Sequence, residues 1–481
     1  MKKKIVDVII AVELLVMVVV PLLTFNWTQG VNSVSENRTL KAFPTLFDEQ
    51  GELRDDLTEQ FNDWFNDNIG LRDRLIDLSS IISFNVFHKS TSEKVEIGKE
   101  GWLYYCVENN LDIVKDTYPN FSESDMQIYC EQLINVQKKL ESQGRKFVFV
   151  IPPSKVSIYP EYIQSGDFSI METPADKFAD YLEEHSTIKV VRLKDALLQE
   201  KTESPDLLYF KTDTHWNLKG RYVGYRKIIE DMNAWNLISS KPLEAEFYKD
   251  GPYSGDLAGM MGVVNFAGEK YSEAQFDNIR LLNSQAELVT SGKRYEKYET
   301  LMESEGIANG GSMWLNENEA EAPRVLVYGD SMIGTCNIGY IAENFSETTF
   351  VWSYALNQEM IDYIDPDIVV LDISERGLNQ YLPNLFDSFL KTKFLMDETS
   401  GTLDIFYEDD GMYSKMYFPT WSSLNDQDDL VWYEAERTDS TTWHVRVKLE
   451  DHGMGRYQIH FYDGNGNFVG STSYYVGTSL E

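Results

Sequence analysis

The sequence predicts an α/β domain on a mainly parallel sheet, preceded by a membrane-anchor helix and followed by an antiparallel β-sandwich. Three observations carry that expectation. Short apolar runs alternate with helical periods from about residue 120 to 395. Three lysines and then an apolar run long enough to span a bilayer open the chain. After about residue 396 the texture turns to Tyr, Trp, Phe and Thr, with turn signals such as DGNGN (463–467) and no long helical period.

Composition bounds the rest. The chain has 481 residues, with 43 Lys and Arg against 78 Asp and Glu, a formal charge of −35. That length fits two or three domains. With 42% hydrophobic and 13% aromatic residues it can bury large cores, which excludes wholesale disorder. The acidic excess excludes a phosphate-backbone binder, since nucleic acid would be repelled. Three cysteines (Cys106, Cys130, Cys336) exclude a disulfide scaffold. There is no CxxC or Cys/His cluster to make a structural zinc site.

Lys2, Lys3 and Lys4 precede an apolar stretch over residues 5–25, the order of an export signal with its basic end kept inside. The following TFNWTQGVNS offers no A-x-A cleavage pattern and no lipoprotein cysteine, so an uncleaved signal anchor is favoured. Asp7 would sit near the headgroups; Glu13 falls inside the span, where a carboxyl is costly and would be protonated or paired with a partner membrane protein. The competing reading is a cleaved signal in which Glu13 marks the start of a short apolar region, Leu14 to Leu23. Either way residues 26–481 are expected outside the cytoplasm, at the cell membrane, where Cys106 and Cys130 could pair.

Residues 26–95 read as a helical extension: LTEQFNDWFNDNIGLRDRLIDLSSIISFNVF has helical spacing, interrupted by Gly70. GKEGWLYY (98–105) is a turn into an aromatic strand. A helix, SDMQIYCEQLINVQKKLESQG, closed by Gly144, precedes the strand FVFVI (147–151). A helix over PADKFADYLEEH precedes KVVRL (189–193), and later strands are VLVYG (325–329) and DIVVLDI (367–373). The expected units are therefore 1–25, 26–95, 96–395 and 396–481.

Functional residues of parallel α/β sheets gather at the carboxyl ends of strands, and two expected ends carry chemistry. In VLVYGDSM (325–332) a strand runs into Gly329, Asp330 and Ser331. There a helix N-terminus could stabilise an oxyanion beside the serine, or Ser331 could be an ordinary N-cap. In LLYFKTDTHWNLKG (207–220), Asp213 and His215 stand two apart. A serine nucleophile needs a base, and the base a carboxylate to hold its tautomer. Of the six histidines, His444, His452 and His460 fall in the C-terminal module, and His88 and His185 lack a nearby motif. His215 is left as the base. A metal held by Asp213 and His215 ranks low, because no third and fourth ligand stand at usual spacing. No metal and no cofactor are expected.

With DTHW before a helix and a later strand–GDS, the chain resembles the DHHW family of SGNH-hydrolase-like proteins, related to periplasmic alginate O-acetylation proteins. NIGLRDRL (68–75), GKEGWLYY, IPPSKVSIYPE (151–161), SGDLAGMMG (254–262) and PDIVVLDISERGL (366–378) occur in the family's order, over about residues 35–395. The resemblance implies an SGNH-hydrolase-like sheet with Ser331 as nucleophile, His215 as base and Asp213 as orienting carboxylate. DTHW departs from the doubled histidine of the family name. The Asp-x-His spacing before the serine differs from that of ordinary SGNH esterases, an order the alginate proteins share. Lys155 could meet substrate, Gly255 or the Ser331 amide could line an oxyanion hole, and Arg376 could bind substrate or pair with Glu375 or a neighbouring carboxylate. Cys336, one helical turn past Ser331, reads as core.

FPTWSSLNDQDDLVWYEAE (418–436) and HGMGRYQIHFYDGNGNFVG (452–470) resemble the Bsp-like repeat of Gram-positive surface proteins. Trp421, Trp432 and Trp443 could stack on sugars, but filling a small sandwich core is the preferred reading. The expected function is an extracytoplasmic O-acetyltransferase for a cell-surface polysaccharide. Its expected partner, implied by the resemblance, is a membrane-bound O-acyltransferase that donates acetyl. The alternatives are an O-acetyl esterase with the same triad and a non-catalytic glycan-binding or assembly protein.

Overall fold

Alternate residues of the strand Lys146–Ile151 enter two different cores. Val148 and Val150 join one cluster with Val191, Val325, Val327, Ile368 and Val370. Phe147, Phe149 and Ile151 join another with Leu326, Tyr328, Val369 and Leu371. A strand points successive side chains to opposite faces, so the sheet is buried on both. That is why these strands read as unbroken apolar runs.

The computed structural model describes residues 12, 15–16, 18–27, 32–33, 38–47, 54–87, 89–115, 117–119, 121–249, 253–263, 276–304, 307, 310–335, 337–384, 389, 392–397, 400–409, 411–422, 428–453 and 455–476. The expectations for Asp7, Glu13, His88 and Cys336 fall outside them. Of the N-terminal apolar segment, residues 18–23 are helical. Among the described residues no helix is long and apolar enough to cross a membrane.

The central sheet has seven strands, in the order Lys189–Arg192, Lys146–Ile151, Ile368–Asp372, Arg324–Tyr328, Glu347–Val351, Gly311–Leu315, Glu287–Val289. The first five are parallel, and the last two add antiparallel. Helix Leu218–Ala234 covers the valine face through Tyr225, Ile228, Ile229 and Met232. Helices Glu123–Ser142 and Pro174–His185 cover the other through Leu133, Val136, Phe178 and Leu182. Both open on capping boxes, at Ser122 with Asp125 and at Thr173 with Asp176. Before the sheet come helices Leu57–Asn68 and Arg72–Phe87, parted at Gly70, and the hairpin Val95–Ile97 with Leu103–Tyr105.

Two expectations need correction here. Cys106 and Cys130 are both thiols. Cys130 is buried in the core on one face of the sheet, whereas Cys106 packs against the core on the other, so they cannot meet. LLYF does not end a sheet strand either. Residues 208–217 fold back on themselves through a single bridge between Tyr209 and Trp216, and the Asn217 N–H closes the loop on the Leu208 carbonyl at 2.8 Å.

After residue 392 two four-stranded antiparallel sheets follow. One orders Thr392–Asp397, Thr402–Glu408, Thr442–Lys448, Glu436–Arg437; the other orders Val431–Glu434, Met416–Ser422, Gly455–Asp463, Phe468–Val476. Both contribute to one core, which includes Leu403, Ile405, Phe418, Val445, Ile459 and Phe461, as in a sandwich. Trp443 fills that core. Trp421 and Trp432 do not: they lie on the outer face, opposite Phe418 and Thr420, and Trp432 is 53% exposed. Strand alternation sets the difference, since neighbours along a strand cannot share a face.

Candidate active site

Tyr328 ends a central strand, Gly329 and Asp330 turn the chain, and Ser331 opens the short helix Ser331–Gly334. Asp330, not Ser331, is the N-cap: its carboxylate accepts the Met332 N–H at 2.8 Å and the Tyr354 hydroxyl at 2.9 Å. Ser331 is therefore spared from capping. As the first helical residue, it has an N–H with no carbonyl inside the helix to bond. Any side chain on Gly329 would overlap the buried Asp372 carboxyl, so the turn passes there only as glycine. Burial pushes Asp372 well above the usual carboxylate range, and the nearby Asp330 charge adds to the effect.

The folded-back loop delivers the other two residues. His215 Nε2 is 2.7 Å from Ser331 Oγ, and His215 Nδ1 is 2.7 Å from Asp213 Oδ1. The three sequence-predicted residues thus form one continuous hydrogen-bonded line, although His215 and Ser331 stand 116 residues apart in the chain. Asp213 is buried, and His215 is 22% exposed. Burial alone would raise the Asp213 pKa. Hydrogen bonds and charge from His215, with the Tyr253 hydroxyl, more than offset it and hold the carboxyl below its usual range. Its Oδ2 accepts Tyr253 O–H at 2.8 Å and the Asp256 N–H at 3.1 Å. Two strong acceptor oxygens with four donors make a fixed anion.

Sequence reasoning missed Tyr253 and Asp256, although Asp256 lies inside the SGDLAG segment that carried part of the resemblance and Tyr253 immediately precedes it. Asp256 accepts Thr214 N–H at 2.8 Å and Thr214 O–H at 2.5 Å. Burial, then the Asp213 charge, pushes its carboxyl up. The two carboxylates thus diverge, Asp213 toward the anion and Asp256 away from it. Asp256 also supplies the third ligand that the sequence did not place near Asp213 and His215, and ligand atoms of the three lie within 4.8 Å of one another. Each carboxylate oxygen already holds a donor from the chain, so the cluster reads as a hydrogen-bond web.

Of the other three candidates, Lys155 and Gly255 take different places from those expected, and Arg376 pairs with a neighbouring carboxylate, as one expectation allowed. Lys155 does not face substrate. It is buried, and its ammonium donates to the carbonyls of Phe210, Lys211 and Asp213 at 3.2, 3.2 and 2.6 Å. It lies over the Trp102 and Tyr104 rings as well. Gly255 is no oxyanion donor: its N–H is taken by Thr212 Oγ1 at 3.0 Å. Its bare Cα lets the 254–258 segment press against Asp213, where a Cβ would overlap that side chain. Arg376 pairs not with Glu375 but with Glu108, Nε to Oε2 2.9 Å. Glu108 and Asn109 both sit in the left-handed region, at φ 57° and 54°, a strained presentation of the kind found at functional sites. Trp216 is wholly buried, pressed by Gly220 and Gly224 of the next helix, so it shapes the loop rather than the chemistry.

Residues 95–308 match the family model of the SGNH hydrolase-like domain of acetyltransferase AlgX, and residues 395–477 match the GBS Bsp-like repeat. Both resemblances read from the motifs are therefore found. The first match holds Lys155, Asp213, His215 and Gly255; Ser331 and Arg376 lie beyond it. Two proteins described as probable alginate O-acetylase AlgJ are similar. The one from Pseudomonas fluorescens is 24% identical over 185 residues, 38% of this chain and 44% of that one. The one from Pseudomonas syringae pv. tomato is 26% identical over 204 residues, 40% and 47% of the two chains. The chain spans about half the length of the curated relatives it matches. A solved DHHW family protein from Eubacterium siraeum is 13% identical, covers 59% of this chain and 94% of its own, and has a TM-score of 0.39.

Proposed function

We propose, from the match to the SGNH hydrolase-like domain of an acetyltransferase, that this chain is a serine O-acetyltransferase acting on a polysaccharide outside the cytoplasm. One observation carries the reading: the unbroken line from Ser331 Oγ through both nitrogens of His215 to Asp213. Ser331 Oγ attacks the acyl carbon of the donor as its proton passes to His215 Nε2. Asp213 keeps the Nδ1 proton in place and stabilises the imidazolium. The Ser331 N–H, which has no carbonyl inside its helix to bond, is offered to the developing oxyanion. His215 returns its proton to the leaving group, and acetyl remains on Ser331. A sugar hydroxyl then gives its proton to His215 and takes the acetyl, and Ser331 recovers its hydrogen.

A membrane-bound O-acyltransferase supplies the acetyl, and the N-terminal apolar segment keeps the chain beside it. The names of the similar proteins, alginate O-acetylases, support polysaccharide as the acceptor class.

The test uses the intact chain, wild type and Ser331→Ala, with a chromogenic acetyl ester and an oligosaccharide acceptor, products followed by mass spectrometry. Acetyl should appear on the Ser331 peptide and pass to the sugar. Ser331→Ala should cut turnover by about three orders of magnitude or more. Hydrolysis indifferent to acceptor would make the protein an esterase, and turnover undiminished in Ser331→Ala would remove the serine mechanism.

A further inference from the structure

Outside the active site a gathering of exposed rings lies on the C-terminal sandwich. Tyr417, Trp421, Trp432, His460, Tyr462 and Phe468 come from all four strands of one sheet, on the face turned away from its core. Trp432 is 53% and Phe468 39% exposed, and the other four are half-buried. The rings touch in sequence. Tyr417 lies 6.4 Å from Trp432, Trp432 5.1 Å from Tyr462, and Tyr462 5.6 Å from Phe468. Phe468 then lies 5.2 Å from His460, and His460 4.7 Å from Trp421. A contiguous exposed apolar patch on a small sheet marks a binding surface. Nothing in the acetyl-transfer chemistry uses it.

Charge and size decide the occupant. Beside the six rings the charged pair is Glu434 with Lys415, 2.9 Å apart, whose ammonium caps the Tyr417 ring; Arg456 stands at an outward register position two residues beyond the buried Gln458. An almost uncharged patch on a chain of −35 offers nothing to a polyanion and repels it at a distance. The patch is also bounded. Gln458 and Ser471, farther along the same face, are buried, and helix Glu123–Ser142 packs along the strand Phe468–Val476. Six rings fall well short of the roughly 20–30 residues a side that a standard protein interface needs, and no arginine anchor stands among them. A row of aromatic faces edged by tyrosine hydroxyls matches the C–H faces and hydroxyl rims of pyranose rings.

We infer that this row is a binding platform for a short stretch of neutral polysaccharide. It is independent of the serine chemistry and serves to hold a polymer rather than to act on it.

The test is calorimetric titration of the intact chain with cellohexaose, mannohexaose and chitohexaose, and with hexagalacturonate as the charged counterpart. At least one neutral hexasaccharide should bind and the charged one should not. Trp432→Ala and Tyr462→Ala should each weaken binding at least about tenfold, the loss of one stacked ring, without lowering Tm. Met412→Ala, 72% exposed on the same module, should change nothing. The inference is overturned if no neutral saccharide binds at millimolar concentration, or if binding survives both substitutions. It is equally overturned if sedimentation shows the rings mediating self-association, which would make the face an interface between copies.

Discussion

A lysine withdrawn from water must find other partners for its charge, and Lys155 finds three carbonyls and two aromatic faces. Burial still pushes it down to about 7, with the Asp213 and Asp256 charges pulling the other way. An unfolded chain keeps that proton up to lysine's ordinary value of about 10.4. Between those limits the unfolded state binds more protons, so the lysine's contribution to stability rises with pH from about 7 upward. Wild type should therefore gain Tm relative to Lys155→Met between pH 7 and 9 at constant ionic strength; parallel curves would show that the lysine is not strained. The sequence singled out this lysine but misjudged its use. Nothing in IPPSKVSIYPE separates a lysine that reaches solvent from one that reaches back to a loop 55 residues away. Asp213, His215 and Ser331 were legible because their chemistry restricts residue type. Tyr253 and Asp256 were not, since a hydroxyl donor and a second carboxylate are interchangeable with many others on paper.

The loop Leu208–Asn217 and the segment that starts at Gly255 behave as one device. The Leu257 and Ala258 amides both donate to the Thr212 carbonyl, and the Asp256 amide donates to Asp213. Gly255→Ala would drive a methyl into Asp213 and into the Thr212 carbonyl beside it. A displacement of that kind is expected to slow acylation of Ser331 by roughly a hundredfold, while far-ultraviolet dichroism stays unchanged. Wild-type rates in Gly255→Ala would mean that the contact is not what seats the carboxylate. The buried strands Lys146–Ile151 and Ile368–Asp372 were readable because both their faces are covered. Glu347–Val351, with sequence ETTFV, was missed because Thr348 and Thr349 are buried inside the sheet without the apolar signature. Leu207 to Phe210 misled in the opposite sense, an apolar run whose burial comes from a loop folded inward.

At the scale of the molecule, the sandwich keeps its own core, made of residues that join neither core of the central sheet. Leu403→Ala, at a site with no exposure, should cost the module about 2–5 kcal/mol. It should lower one unfolding transition and leave the rate of Ser331 acylation as it is. A matching loss of acylation would show the two units to be a single cooperative body. The texture change near residue 396 was visible because sandwich strands alternate, and the same alternation concealed which tryptophans face out until pairing was known. The order of strands in the central sheet has a consequence for how the protein is made. The strand Ile368–Asp372 is the last of the five parallel strands to be synthesised, yet it lies in the middle, between Lys146–Ile151 and Arg324–Tyr328. Without it, Lys146–Ile151 and Arg324–Tyr328 each lack a partner on the side they turn to the centre, and Gly329 has no Asp372 to turn over. The turn that presents Ser331 is thus completed only when the last parallel strand is seated, although Asp213, His215 and Ser331 all precede that strand in the chain.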